Sequence, residues 1–174
     1  MSTPPATDDA FGSKPQIWAP WRYEYVKSPH SDACFLCVNG VDPATDVEQL
    51  VIGRGTTCYT LLNRFPYNPG HLLVTPYRHV AILAELDAAE RVEIFDMLIQ
   101  AQAVLEAVMQ PHGYNIGANL GRPAGAAIAD HLHWHIVPRW TGDTNFMPVL
   151  AGVDCVPQAL TDSADLLRKA WATV

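Results

Sequence analysis

The stretch His131-Leu132-His133-Trp134-His135-Ile136-Val137-Pro138-Arg139 decides how the rest of the chain is read. Trp134, Ile136 and Val137 favour an extended strand, and successive side chains on a strand point to opposite faces. His131, His133 and His135 therefore share one face, while Leu132, Trp134 and Ile136 share the other and supply core. Three imidazoles in a row cost stability unless each has a hydrogen-bond partner, so the pattern points to a site. Two chemistries compete for it. Histidines two apart on a strand can ligate one zinc. However, His131 and His135 have Cα atoms about 13 Å apart at about 3.3 Å per residue, which leaves little prospect of both gripping one ion. In the other chemistry a neutral imidazole attacks phosphorus and a second manages the leaving oxygen, the logic of covalent catalysis by a group whose pKa lies near neutral.

Working outward, 57–62 and 71–75 are rich in β-branched and apolar residues and predict two strands. The connection between them, Asn63-Arg64-Phe65-Pro66-Tyr67-Asn68-Pro69-Gly70, is turn-forming. From 86 to 109 apolar residues recur with helical spacing (Val92, Ile94, Phe95, Met97, Leu98, Ala101, Leu105, Val108), and the helix ends at Pro111-His112-Gly113. Two further strands, 115–120 and 131–139, flank a Gly/Ala-rich loop, and 162–171 predicts a closing helix. Strands joined through turns, with one long helix between two hairpin-like pairs and a C-terminal helix, indicate an α+β domain on an antiparallel sheet.

The 174 residues suffice for one domain. Residues 1–15, rich in Pro, Thr, Asp and Ser, read as a disordered tail and 16–174 as a single domain. An aromatic segment at 17–26 is read as packing on the domain or on a partner subunit. The net charge of −7 argues against a nucleic-acid surface, which needs clustered Lys and Arg. It leaves room for a small anionic substrate held by local donors. No apolar run approaches the roughly 20 residues that span a bilayer, and the N-terminus has no signal-peptide pattern. The expectation is a cytoplasmic protein without membrane or nucleic-acid partners. Of Cys34, Cys37, Cys58 and Cys155, the first two lie in a stretch read as a short loop and have the spacing of a zinc half-site, the alternative being two buried small residues. Cys58 is read as core, and His30 and His112 as solvent-facing.

The run from His131 to Val137 matches the signature of the histidine triad superfamily, and 63–74 resembles that family's other characteristic stretch. His131 to Trp140 followed by Gly142-Asp143-Thr144-Asn145-Phe146 resembles a bacterial branch that includes diadenosine tetraphosphate phosphorylases. The resemblance implies a HIT-like α+β fold whose sheet is extended across a homodimer. It implies His133 as the nucleophile that becomes nucleotidylated and His135 as the contact to the α-phosphate and the leaving or entering oxygen. It further places His71 and Asn119 near the phosphates and Asn63 on the ribose hydroxyls of an adenine nucleotide. Some members resembling this chain bind zinc through a cysteine pair, a later histidine and the first triad histidine. The matching positions are Cys34, Cys37, His79 and His131, a closed structural site with no open position for catalysis. Magnesium entering with the polyphosphate is compatible with the resemblance.

One departure bears on the reaction. Where many hydrolytic members carry Gly-Gln-Ser or Gly-Gln-Thr before the triad, this chain has Gly125-Ala126-Ala127-Ile128-Ala129-Asp130. With no side-chain donor at Ala127, the small residues leave room for inorganic phosphate as second nucleophile. The resemblance thus favours phosphorolysis of dinucleoside polyphosphates, with hydrolysis of such substrates or of nucleoside phosphoramidates as the alternative. From other classes, a nucleotide-binding regulatory protein with negligible turnover and a zinc enzyme using the triad as ligands stay open. Arg139 and Asp143 are read either as phosphate-side groups or as a surface pair.

Overall fold

The computed structural model describes residues 34–126, 128–143 and 159–174. The tail at 1–15, the aromatic segment 17–26, His30, Ala127, residues 144–146 and Cys155 lie outside the described residues. Elements follow in the order α1 (Phe35–Val41), β1 (Val51–Arg54), β2 (Cys58–Leu62), β3 (Leu72–Pro76), α2 (Ala88–Met109), β4 (Gly113–Gly117), β5 (Trp134–Arg139) and α3 (Leu160–Trp171), with short 3-10 turns between. The strands form one five-stranded sheet ordered β1-β2-β3-β5-β4. Every pair is antiparallel, as expected for the α+β fold.

Each face of the sheet has its own apolar layer. α2 and α3 cover one face, where Ile94, Leu98 and Leu105 meet Leu62, Leu72, Val74, Leu132 and Ile136, with Trp134 against them. On the other face Leu36 of α1 packs on Val51, Tyr59, Leu61 and Leu73. Alternation along β5 divides its side chains as the sequence indicated, with Leu132, Trp134 and Ile136 on the α2 side.

α2 starts where Asp87 and Glu90 form a reciprocal capping box, Asp87 accepting from the Glu90 N–H and Glu90 from the Asp87 N–H. Gly70, at φ +75°, sits where an added Cβ would meet Met109 Sδ at 2.6 Å. The turn into β3 thus needs glycine both for its conformation and for its closeness to α2. Among the described residues no helix is long and apolar enough to cross a membrane.

Three expectations are corrected, and one strand is added. The cysteine segment, read as a loop, is the helix α1. Its last carbonyls would be orphaned, and the Arg54 guanidinium meets them: it donates to Gly40 O (2.7 Å) and Asn39 O (3.2 Å) while pairing with Asp46 at 2.6 Å. β1 went unread. The fourth strand, expected at 115–120, is shifted to Gly113–Gly117. The triad strand, expected from 131, joins the ladder only at Trp134, because residues just before it bond elsewhere. Leu132 N–H donates to Val80 O at 2.7 Å, and its carbonyl accepts from Thr75 Oγ1 at 2.8 Å.

Candidate active site and metal centre

On the α1 face, the ends of β2, β3 and β5 lie side by side. Register fixes this. Leu62 pairs with Leu72 and Leu73 with His135, so Asn63, His71 and His135 follow one another across neighbouring strands. His71, His131 and His133 are buried.

Hydrogen-bond partners assign each imidazole proton. The Tyr67 N–H donates to His71 Nδ1 at 3.1 Å. A backbone N–H can only donate, so the His71 proton is on Nε2. That atom lies 2.9 Å from His135 Nδ1, which accepts. The His135 proton is therefore on Nε2, a buried atom with no partner among the described residues. His133 has the opposite tautomer: its Nδ1–H donates to the His131 carbonyl at 2.9 Å, which leaves the Nε2 lone pair available. The His133 and His135 rings meet edge to face, centroids 5.0 Å apart. A lone pair thus stands beside an N–H donor. Burial, reinforced by the neighbouring imidazoles, pushes His71 down to about 3 and His135 down to about 4, so both are neutral at physiological pH.

A cleft of about 490 Å³ opens from His135 along β4 and β5, with Asn119, Asn115, Asn68, Tyr67 and Arg139 in its lining. Tyr67 lies over both His71 and His135, at centroid distances of 4.7 and 6.0 Å. Asn119 is in this lining. Asn63 is not; its Nδ2 is 3.3 Å from His71 Nδ1 and its Oδ1 accepts from the Phe65 N–H.

His131 belongs to a different cluster. Its Nε2–H donates to Pro76 O at 2.9 Å, which turns the Nδ1 lone pair towards Cys34 Sγ (3.3 Å) and Cys37 Sγ (3.4 Å). His79 Nδ1 is 3.2 Å from Cys37 Sγ, and one ligand atom from each of the four residues lies within 4.8 Å of the others. Zinc bonds of about 2.0 Å to nitrogen and about 2.3 Å to sulfur at tetrahedral angles set N and S about 3.5 Å apart. The donor set fits such an ion. Two supports hold the ligands in place: Tyr59 Oη donates to Leu36 O within α1, and Arg78, next to His79, forks onto Glu90 at 2.7 and 2.6 Å.

The sequence-predicted residues thus fall into two groups, His133, His135, His71, Asn63 and Asn119 in one, and Cys34, Cys37, His79 and His131 in the other. Sequence reasoning missed Tyr67, Asn68 and Asn115. The Tyr67 contribution is a main-chain N–H that no residue-type signal carries, and Asn115 reaches the cleft through its pairing with Val137 on β5.

A five-stranded α+β sheet with a histidine pair of opposed tautomers beside a polar cleft is an arrangement chemically capable of attack at an electrophilic centre such as phosphorus. Comparison with known proteins gives the family. The HIT domain model matches residues 44–142, and the chain belongs to the HIT domain family. It is 41% identical over 164 residues to a Mycobacterium tuberculosis protein named AP-4-A phosphorylase, covering 90% of this chain and 84% of that one. It is 38% identical over 82 residues to a Schizosaccharomyces pombe protein named bis(5'-nucleosyl)-tetraphosphatase (asymmetrical), 47% of this chain and 44% of that one. Among solved structures, a Zn-bound histidine triad family protein from Mycobacterium smegmatis superposes with a TM-score of 0.64 at 25% identity, covering 81% of this chain and 94% of that one.

Proposed function

We propose that the protein cleaves dinucleoside polyphosphates such as diadenosine tetraphosphate by nucleotidyl transfer through His133, with inorganic phosphate as second nucleophile. The observation that carries this reading is the pair of opposed tautomers, a lone pair on His133 Nε2 beside an N–H on His135 Nε2, the latter with no partner among the described residues. In the first step His133 Nε2 bonds to the α-phosphorus and the bond to the bridging oxygen breaks, releasing ATP. The His135 N–H stabilises the negative charge on the oxygens. In the second step a phosphate oxygen attacks the same phosphorus, the N–P bond breaks, and ADP leaves. His71 acts through His135, fixing its tautomer. Asn63 takes the ribose hydroxyls and Asn119 a phosphate oxygen. The similarity to the protein named AP-4-A phosphorylase supports phosphate over water. The fission-yeast relative's name favours water, and hydrolysis is the second reading.

Zinc bound by Cys34, Cys37, His79 and His131 would be structural, tying α1 and the segment after β3 to the start of the triad strand. The protein acts as a cytoplasmic homodimer in this reading. The free edge of β4 and the exposed Val92, Phe95 and Ile99 on α2 supply the surface for a second copy.

The test supplies diadenosine tetraphosphate with and without phosphate to wild type and His133→Asn. ADP plus ATP formed only with phosphate is the expected result. AMP plus ATP in phosphate-free buffer identifies a hydrolase, and full turnover by His133→Asn removes His133 from the mechanism.

A further inference from the structure

The cleft beside His135 continues well past the reacting centre. His135, Val137 and Arg139 alternate along one face of β5, opposite Gly117, Asn115 and Gly113 of β4. From His135 to Arg139 the strand runs about 13 Å at about 3.3 Å per residue. Of the described residues lining the cleft, Arg139 alone carries a formal charge.

Its guanidinium is held in one orientation. Nε and Nη2 donate to the two oxygens of Asp143 at 2.6 and 3.0 Å, and Nη1 donates to Asn115 Oδ1 at 2.9 Å. Asp143 is fixed in turn by Asn68 Nδ2 (2.8 Å) and the Trp140 N–H (3.2 Å). Three of five N–H groups are thereby used. The Arg139 side chain is still 45% exposed, which leaves the outer N–H groups to the cleft mouth. A surface ion pair with no further role would not need three anchoring groups from the turn, from β4 and from the loop after β5. An oriented guanidinium fork is suited to phosphate oxygens.

We propose that Arg139, steadied by Asp143 and Asn115, forms a subsite for the phosphates beyond the bridging oxygen, so that this end of the cleft reads the polyphosphate of the leaving group. The inference rests on the reading that the α-phosphate lies at His133 and His135. Sheet order then places the nucleoside end at Asn63 on the β2 side and the leaving group on the β4 side.

The experiment measures equilibrium binding of AMP and of α,β-methylene-ATP to the full chain, for wild type, Arg139→Gln and Arg139→Lys. Wild type binds the analogue more tightly than AMP. Arg139→Gln weakens the analogue by about 10- to 100-fold, the range expected for lost charge-assisted hydrogen bonds, and changes AMP less than about 2-fold. Arg139→Lys falls between, because it keeps the charge and loses the fork. Unchanged AMP affinity shows that the variant still folds. Equal weakening of both ligands, or of neither, overturns the subsite. Failure of the proposed reaction reads differently: a wild type that turns over no polyphosphate yet shows the Arg139-dependent preference refutes the reaction and leaves the subsite standing.

Discussion

Replacing His71 by leucine tests the chain of neutral imidazoles. His71 is fully buried, accepts from the Tyr67 N–H and donates to His135 Nδ1. His71→Leu leaves His135 Nδ1 without its donor and the Tyr67 N–H without its acceptor, and costs about 2–4 kcal/mol at pH 7, the order expected for lost hydrogen bonds and unsatisfied buried groups. The pH dependence is more discriminating. The folded-state pKa of His71 is about 3, against 6.5 in the unfolded chain. A histidine with a depressed folded pKa contributes stability that is fully present above about 6.5 and is lost as pH falls towards 3, because only the unfolded chain takes up the proton. Between pH 7 and pH 5 that uptake removes about 2 kcal/mol from wild type, and nothing corresponding from the variant.

The gap between the two proteins should therefore shrink to about 0–2 kcal/mol at pH 5. Any rise in the His135 pKa on losing the His71 donor works in the same direction. Other titrating groups, including any metal ligands, are common to both proteins and largely cancel. Denaturant unfolding followed by tryptophan fluorescence and far-ultraviolet circular dichroism at the two pH values supplies the numbers. A gap that is constant, or wider at pH 5, would refute the assignment of His71 as a neutral donor.

Two further outcomes concern the rest of the molecule. Protein purified without chelator should carry one zinc per chain by elemental analysis, and Cys37→Ser should melt on the order of 6–12 °C lower, for a loss of about 3 kcal/mol; undetectable metal in the wild type counts against the site. Val92, Phe95 and Ile99 are 62%, 64% and 66% exposed, so Phe95→Glu should weaken self-association by about 100-fold or more in analytical ultracentrifugation while leaving the circular dichroism unchanged; an unaltered dimer means that another surface is used.

The sequence was most legible where a periodic signal coincided with core packing. Strict alternation at 132, 134 and 136 placed those side chains against α2, and the turn before His71 was marked by Pro69 and Gly70. It was least legible where long-range bonds override local preference. Seven residues at 35–41 hold too little local signal for a helix, and what stabilises α1 is Arg54, from a strand that itself escaped notice. Val92 and Phe95 show a related limit. Helical periodicity placed them on α2, yet they face outward, because an α-helix with two apolar stripes gives one pattern whichever stripe meets the sheet. For Arg139 and Asp143 the residue types suited a phosphate contact and a surface pair equally. The anchoring by Asn115 and Asn68, which residue type does not reveal, is what favours the proposed phosphate contact.

The late entry of β5 into the ladder, at Trp134 and not at His131, explains how one run of sequence can serve two sites. Had the strand paired from His131, all three imidazoles would project from one flat surface at about 6.6 Å intervals, each needing its own partner. Instead Leu132 bonds to Val80 and Thr75, and the preceding backbone is drawn towards the loop after β3, where His79 and the cysteines lie. The same displacement turns the His131 carbonyl onto His133 Nδ1. The residue that completes the candidate metal-binding cluster thereby also sets the tautomer of the proposed nucleophile. A metal holding His131 in place would couple the geometry of the reacting lone pair to the metal without bringing the metal into the reaction.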